Sequence, residues 1–204
     1  MKAVIAKKQL DVSVVLENVH DAHNIGAVLR TCETVGIQEV YLLFTDDALF
    51  QRNLKLGKRT SSGARKWLDV FLYNNLEECI EKVRDRFERL IGTVISTSSS
   101  SLFEMDFTKS CALILGNEKS GLSDKLANEL DEHIVIPQVG FVQSLNVSVA
   151  NAVCLYEMYR QRSNAGAYDK EFDLNDANQL SLLENYLDRS NTRGYGRKPL
   201  KRFE

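Results

Sequence analysis

Several features that would place a protein in a class at once are missing from this sequence. The four cysteines are scattered, and neither they nor the three histidines stand at the spacing of zinc ligands or of a disulfide framework. We therefore expect no metal site, and we expect small buried thiols in a reducing compartment. The cysteines are Cys32, Cys79, Cys111 and Cys154.

Long apolar runs are also absent, and no charge of one sign dominates. No stretch of 18 consecutive apolar residues occurs, and the N-terminus lacks the apolar segment of a signal peptide. The formal net charge is −2, which is weak evidence against RNA binding because the local distribution of charge matters more than the sum. We expect a soluble, cytoplasmic protein.

Two common nucleotide-binding fingerprints are absent. Residues 116–121 (GNEKSG) begin like a phosphate-binding P-loop, but Leu122 follows Gly121 where a lysine is required. No G-x-G-x-x-G occurs either, so the sequence does not support a Rossmann dinucleotide site.

Apolar runs alternate with amphipathic helical patterns along most of the chain. Runs typical of buried strands alternate with helical patterns near residues 24–35, 76–87 and 145–161. This alternation predicts an α/β fold with a mostly parallel sheet flanked by helices. The composition shifts after residue 162, so we expect one domain over residues 1–162. Residues 163–204 would add a helix and a basic tail that assists RNA binding. The strand-like runs lie at residues 12–16, 40–44, 70–73, 90–96, 111–115 and 133–136.

The segment 136–150 (IPQVGFVQSLNVSVA) is the best candidate for a ligand site. Pro137 ends a strand because it has no N–H to donate, and Ser144 stands where the N-cap of the next helix is expected. In α/β sheets, ligands bind at the carboxyl ends of strands, where a strand, a loop and a helix N-terminus meet.

Two polar residues of the helix predicted at 24–35 have an ordinary interpretation and a functional one. Arg30 points away from the apolar face of this helix, which by itself is typical of a solvated arginine. Asn24 stands at the expected helix start, which by itself indicates an N-cap.

A basic stretch lies between residues 50 and 67, and it contains no acidic residue. It is the best candidate for a phosphate-binding surface, although such a run is more often a solvated loop. Trp67 could stack on a base, but a lone tryptophan is more often part of the core. The predicted RNA-binding residues are Arg52, Lys55, Lys58, Arg59, Arg65 and Lys66.

Three segments together resemble a known family. Residues 24–30 (NIGAVLR), 113–118 (LILGNE) with Gly121 after them, and 136–150 are similar, in order, to the three signatures of the SpoU-type RNA 2′-O-methyltransferases. The resemblance implies a deep C-terminal trefoil knot, S-adenosylmethionine as methyl donor and transfer to a ribose 2′-hydroxyl. It also implies a homodimer formed through the knot region.

The resemblance assigns roles to individual residues. Arg30 would be the catalytic residue and would reach toward the partner subunit, and exposed apolar residues of the helix near 145–161, including Tyr156 and Tyr159, would form the interface. The other residues implied at the catalytic pocket are Asn24, Glu118, Ser144 and Asn146. The positions implied for the cofactor are Thr93, Gly116, Ile136 and Leu145.

The substrate expected from the resemblance is tRNA. Residues 60–67 (TSSGARKW), 142–150 and 160–166 resemble the branch of the family that methylates a guanosine of the tRNA D-loop. The alternatives are a methyltransferase acting on ribosomal RNA, a non-catalytic RNA-binding module that kept the fold, and a small-molecule enzyme that uses nucleotides.

Overall fold

The structure, a computed structural model, describes residues 1–53, 63–142 and 144–191. Within these residues seven strands form one sheet in which every pairing is parallel, in the order β3-β2-β1-β6-β4-β7-β5. The strands are β1 (Gln9–Glu17), β2 (Ile37–Leu43), β3 (Asp69–Tyr73), β4 (Leu90–Thr93), β5 (Ser100–Ser101), β6 (Cys111–Leu115) and β7 (Glu132–Val135).

Helices cover both faces of this sheet. Residues that alternate along β1 point to opposite faces, so Val14 packs with one helical layer and Val15 with the other. The α2 and α6 helices lie on the first face, and α4 and α5 lie on the second. The helices are α1 (Lys2–Ile5), α2 (Ala22–Thr34), α3 (Asp47–Asn53), α4 (Leu76–Arg84), α5 (Asp124–Ala127), α6 (Val147–Asn164) and α7 (Ala177–Asn191).

The fold class predicted from the alternation of strands and helices is confirmed. Strands buried on both faces read as continuous apolar runs, and Cys111–Leu115 is buried at every position. The strand order, in which β6 lies between β1 and β4, agrees with the knotted topology that the resemblance implies; the knot itself stays a prediction.

The segment after residue 162 folds back onto the rest of the protein. Tyr186 and Leu182 of α7 pack with Ile5, and Tyr186 donates a hydrogen bond to Gln38 Oε1 at 2.7 Å. Arg189, which we had assigned to a basic tail, is buried instead, and its guanidinium pairs with Asp69 at 2.7 Å. The remaining residues of the predicted tail, 192–204, lie outside the described residues.

All four cysteines are buried and unpaired, as expected. Burial raises the pKa of Cys111 to about 11 and the pKa of Cys79 and Cys154 to about 12, and it raises the pKa of Cys32 further. The thiols therefore stay protonated at neutral pH. In the described part of the chain, none of the helices has the length and apolar character needed to cross a bilayer.

Candidate active site

A cavity of about 430 Å³ opens at the carboxyl ends of three neighbouring strands. Its walls come from the ends of β4 and β6, the loop after β6, the segment that follows β7 and the first turn of α6. The cavity contains all four positions expected for the cofactor. These are Thr93 at the end of β4, Gly116 after β6, Ile136 after β7, and Leu145 before α6.

The walls of this cavity combine apolar side chains with loop backbone. Leu115, Ile134, Ile136 and Leu145 supply the apolar surface, and loop backbone can supply N–H and C=O groups. A volume of a few hundred cubic ångströms whose walls combine apolar side chains with polar groups suits a ligand of nucleoside size. The residues present therefore fit the adenosine part of a methyl donor.

Asn117 organises the loop after β6, and sequence analysis missed this role. Its backbone N–H and C=O each hydrogen bond with Gly121, both at 3.1 Å. Its side-chain oxygen accepts from the backbone N–H groups of Lys119 and Ser120, both at 2.8 Å. Asparagine after glycine is a typical turn signal, so the spacing from Gly116 to Gly121 could have revealed this closed turn.

Gly116 also allows the loop after β6 to turn tightly. A Cβ at Gly116 would lie 2.0 Å from the carbonyl carbon of Gly121, so the glycine lets the turn fold back against the strand end.

Three of the predicted catalytic residues form one hydrogen-bonded chain. The side-chain amide of Asn24 donates to Glu118 Oε1 at 2.6 Å, and its oxygen accepts from Asn146 Nδ2 at 3.1 Å. Asn146 Oδ1 in turn accepts from the backbone N–H of Ser148 at 2.8 Å. The chain thus ties the start of α2 to the loop after β6 and to the start of α6.

The structure corrects two helix starts. Asn24 is not an N-cap: α2 begins at Ala22, and Asp21 caps it by accepting from the backbone N–H of His23 at 2.8 Å. Asn146, rather than Ser144, is the N-cap of α6. Capping by Asp21 leaves the Asn24 amide available for Glu118 and Asn146. Glu118 accordingly accepts its hydrogen bond from this side chain.

Ser144 and Arg30 occupy different places relative to the cavity. Ser144 lines it, beside Leu145. Arg30 lies on the exposed side of α2, as the helical arithmetic predicted, and it is not among the residues that line the cavity of its own chain.

The basic stretch is described only in part. Lys55, Lys58 and Arg59 lie outside the described residues, and Arg52 belongs to α3, a helix that we had not predicted. Arg65 and Lys66 form a short 3₁₀ helix and are half-buried.

Two residues of this region have contacts that bear on their expected roles. Burial lowers the pKa of the Arg65 guanidinium. Trp67 packs edge-on against Tyr186 at 5.2 Å between ring centroids, which supports its interpretation as a core residue.

Comparison with known proteins places this architecture in a family. The profile of the SpoU rRNA Methylase family matches residues 11–156, which include all three segments described above. The chain belongs to the SpoU methylase family. This confirms the resemblance inferred from the sequence, and with it the expectation of a methyltransferase.

Relatives within the SpoU family carry a more specific name. This chain is similar to a tRNA (guanosine(18)-2′-O)-methyltransferase of Thermus thermophilus, with 38% identity over 170 residues, 83% of this chain and 85% of the relative. The enzyme of the same name from Escherichia coli is 33% identical over 168 residues, 82% of this chain and 71% of the relative.

Solved structures of SpoU proteins share the fold. A TrmH/SpoU tRNA modifying enzyme of Aquifex aeolicus superposes with a TM-score of 0.82 at 31% identity, covering 94% of this chain and 95% of that one. An AdoMet-bound rRNA methyltransferase of Sinorhizobium meliloti superposes with a TM-score of 0.63 at 27% identity, covering 78% of this chain and 59% of that one.

Proposed function

We propose that this protein transfers the methyl group of S-adenosylmethionine to the ribose 2′-hydroxyl of a guanosine in the D-loop of tRNA, the guanosine 18 of its named relatives. One observation carries the proposal. The hydrogen-bonded chain of Asn24, Glu118 and Asn146 stands beside a cavity of nucleoside size. Glu118 and Asn24 lie 94 positions apart in the sequence, so it is the fold of this SpoU family member that brings them together.

The cavity is the proposed cofactor site. Ile136 and Leu145 would enclose the adenine between apolar surfaces, and backbone groups of the loops at Thr93 and Gly116 would meet its polar edge. S-adenosylmethionine supplies an already activated methyl group, so the protein's main task is to hold the acceptor hydroxyl in line with it.

The acceptor hydroxyl is weakly acidic and must lose a proton as it attacks. A guanidinium is protonated at neutral pH and is a poor proton acceptor, so Arg30 would act as a fixed cation. It would hold an RNA phosphate and stabilise the negative charge that develops on the ribose oxygen, while the proton passes to phosphate or water. Asn24 and Asn146 would fix the geometry of the loops around the ribose, with Ser144 beside the cavity.

A homodimer would bring Arg30 to this cavity. Val139, Phe141 and Val142, in the segment between β7 and α6, are largely or fully exposed, and Tyr156 and Tyr159 of α6 are also exposed. An exposed apolar surface of this kind marks an association site. We expect a second copy to cover it and to present its own Arg30 to the first copy's cavity.

The RNA would be held at a distance from the cavity by basic residues. The segment with Arg52, Lys55, Lys58, Arg59, Arg65 and Lys66 and the basic C-terminal residues are the proposed phosphate contacts. Activity should then fall steeply with salt concentration, because each phosphate contact releases counterions.

The substrate is tested by incubating the protein with radiolabelled S-adenosylmethionine and either bulk tRNA or ribosomal RNA, then digesting the RNA to nucleosides. We expect 2′-O-methylguanosine from tRNA, mapped to the D-loop by mass spectrometry. Label in ribosomal RNA alone would favour the ribosomal alternative, and label in neither would favour a non-catalytic RNA-binding module.

Arg30→Ala tests the division of labour within the site. Turnover should be abolished while the cofactor Kd, measured by isothermal titration, stays within about twofold, because Arg30 would act on the RNA phosphate and the ribose oxygen and not on the cofactor. Arg30→Lys should also fail, since a point charge does not replace the bidentate guanidinium. Loss of cofactor binding in Arg30→Ala would contradict the assigned role.

A further inference from the structure

Glu17 is a buried carboxylate with no role in the chemistry described so far. It is the last residue of β1 and is 1% exposed. Within the residues that the structure describes, no cation lies within ion-pair distance of it. Its side-chain hydrogen bonds go to one residue: Oε2 accepts from the backbone N–H of Ser123 at 2.8 Å, and Oε1 accepts from Ser123 Oγ at 2.6 Å.

Ser123 is the far end of the loop that lines the cavity. Gly116, Gly121, Leu122 and Asp124 all contribute to the cavity wall, and Ser123 stands between the last two. The Ser123 hydroxyl also accepts from the backbone N–H of Leu126 at 3.2 Å, which caps α5. Displacing Ser123 would therefore move the wall of the cavity together with the start of α5.

The loop has a second anchor near the first. Glu118 is tied to Asn24 at 2.6 Å, and Asn24 lies in the first turn of α2, shortly after Glu17 at the end of β1, so residues 17 and 24 hold the loop at two points. Between these points the backbone turns back on itself at Gly121, which has a φ of +68°, and Leu122 reaches Gly92, where its Cδ1 would lie 3.0 Å from an added Cβ.

We infer that Glu17 is a positioning residue for the cofactor: its carboxylate holds Ser123 so that the loop 116–123 keeps the shape that accepts S-adenosylmethionine. This inference rests on the proposed function. Neither Glu17 nor Ser123 would need to touch the cofactor. The energetic reason for a carboxylate here is that its two oxygens, buried at the end of β1, accept two hydrogen bonds at once from the backbone N–H and the hydroxyl of Ser123, which is itself an exposed residue.

Glu17→Ala is the test, with Glu17→Gln as the conservative variant. Alanine releases the loop from the strand by removing both hydrogen bonds to Ser123, so we expect the Kd for S-adenosylmethionine, measured by isothermal titration, to rise about tenfold or more. Glutamine keeps the shape, and its amide can accept from the Ser123 N–H while donating to the hydroxyl oxygen. We expect it to restore the Kd to within about threefold.

Asp11→Ala is the matched control, because Asp11 is a carboxylate at the opposite end of the same strand. It pairs with Arg162 at 2.9 Å, and Arg162 does not line the cavity. This variant should lose thermal stability yet bind the cofactor like the wild type. Hydrogen exchange should be faster at amides 117–123 in Glu17→Ala and unchanged there in Asp11→Ala.

Each outcome has one interpretation. An unchanged cofactor Kd in folded Glu17→Ala would overturn the inference while leaving the proposed function intact, whereas a wild-type protein that binds no S-adenosylmethionine would contradict the proposed function. If Glu17→Ala does not fold, Ser123→Ala tests the same contact by removing only the hydroxyl, and a Kd identical to the wild type would then overturn the inference.

Discussion

Asn24 shows, at the scale of a single residue, how an amide can join two distant parts of a chain. It donates to Glu118 and accepts from Asn146, and only a side chain with both a donor and an acceptor can do this. The Asp21 cap makes this arrangement stable, because it satisfies the N-terminus of α2 without using Asn24.

Asn24→Asp should therefore inactivate the enzyme although it changes few atoms. The new carboxylate would face Glu118 Oε1 at a distance where the wild-type amide donates at 2.6 Å, and two carboxylates repel each other there. We expect kcat for tRNA methylation to fall about a hundredfold or more.

Asn75→Asp is the control for this substitution. Asn75 caps α4 by accepting from the backbone N–H of Glu78 at 3.0 Å, and aspartate caps a helix equally well. Its activity and stability should stay close to the wild-type values. Full activity in Asn24→Asp would show that the hydrogen-bonded chain is not needed for catalysis.

Asn151 is a second polar residue whose environment leads to a prediction. It is completely buried in α6, and within the described residues neither side-chain polar atom has a hydrogen-bond partner. Asn151→Ala should raise the free energy of unfolding by about 1 kcal/mol, because it removes two unsatisfied groups and alanine favours the helix. Urea denaturation measures this, and a destabilised variant would mean that the amide has a partner in the functional assembly.

At the scale of elements, α7 is joined to the sheet by buried polar contacts as well as by apolar packing. Arg189 pairs with Asp69 at the start of β3, and both side chains are largely buried. A buried ion pair contributes little net stability by itself, but breaking it leaves an unpaired buried charge.

Arg189→Ala should therefore lower the free energy of unfolding by about 3–5 kcal/mol, because Asp69 loses its buried partner. The control is Lys82→Ala. Lys82 pairs with Asp85 three positions further on, both side chains are exposed, and its loss should cost no more than about 0.5 kcal/mol. Equal effects of the two substitutions in chemical denaturation would contradict the assigned docking of α7.

The elements also show what the sequence could predict. Periodicity predicted six of the seven strands and the main helices because burial on both faces of a parallel sheet leaves a strong local signal. The β5 strand was missed because it consists of two serines, Ser100 and Ser101, which carry no apolar signal. The caps of α2 and α6 were assigned to the wrong residues because several polar residues precede each helix, and only the folded chain shows which one turns back on the backbone. Burial of Arg162 and Arg189 could not be predicted, because their partners Asp11 and Asp69 lie 151 and 120 positions away.

Residues expected at the candidate site lie together in the structure, whereas the residues that hold its loop in place were not predicted. All four expected cofactor positions line one cavity, and three of the expected catalytic residues share hydrogen bonds, because the resemblance connects segments that no local pattern could connect. Asn117, Glu17 and Ser123 were missed as supports. The roles of Glu17 and Ser123 depend on a contact across 106 positions, which has no local signature.

At the scale of the whole molecule, the fold brings distant parts of the chain together at one edge of the sheet. The β1 and β6 strands are neighbours in parallel register from Val12 opposite Cys111 to Leu16 opposite Leu115, so the loops that follow them meet. Arg30 remains on the outer side of α2, and under the proposed function a second copy of the chain would complete the site.

Subunit complementation tests this central claim most directly. Arg30→Ala removes the guanidinium and leaves the cavity intact, whereas Leu145→Arg fills the cavity and leaves Arg30 intact, and each variant alone should be inactive. If Arg30 serves the partner's cavity, refolding the two variants together should restore tRNA methylation to about a quarter of the wild-type value, because about half of the dimers are mixed and each mixed dimer has one complete site. No activity in the mixture, with mixed dimers demonstrated, would contradict the account.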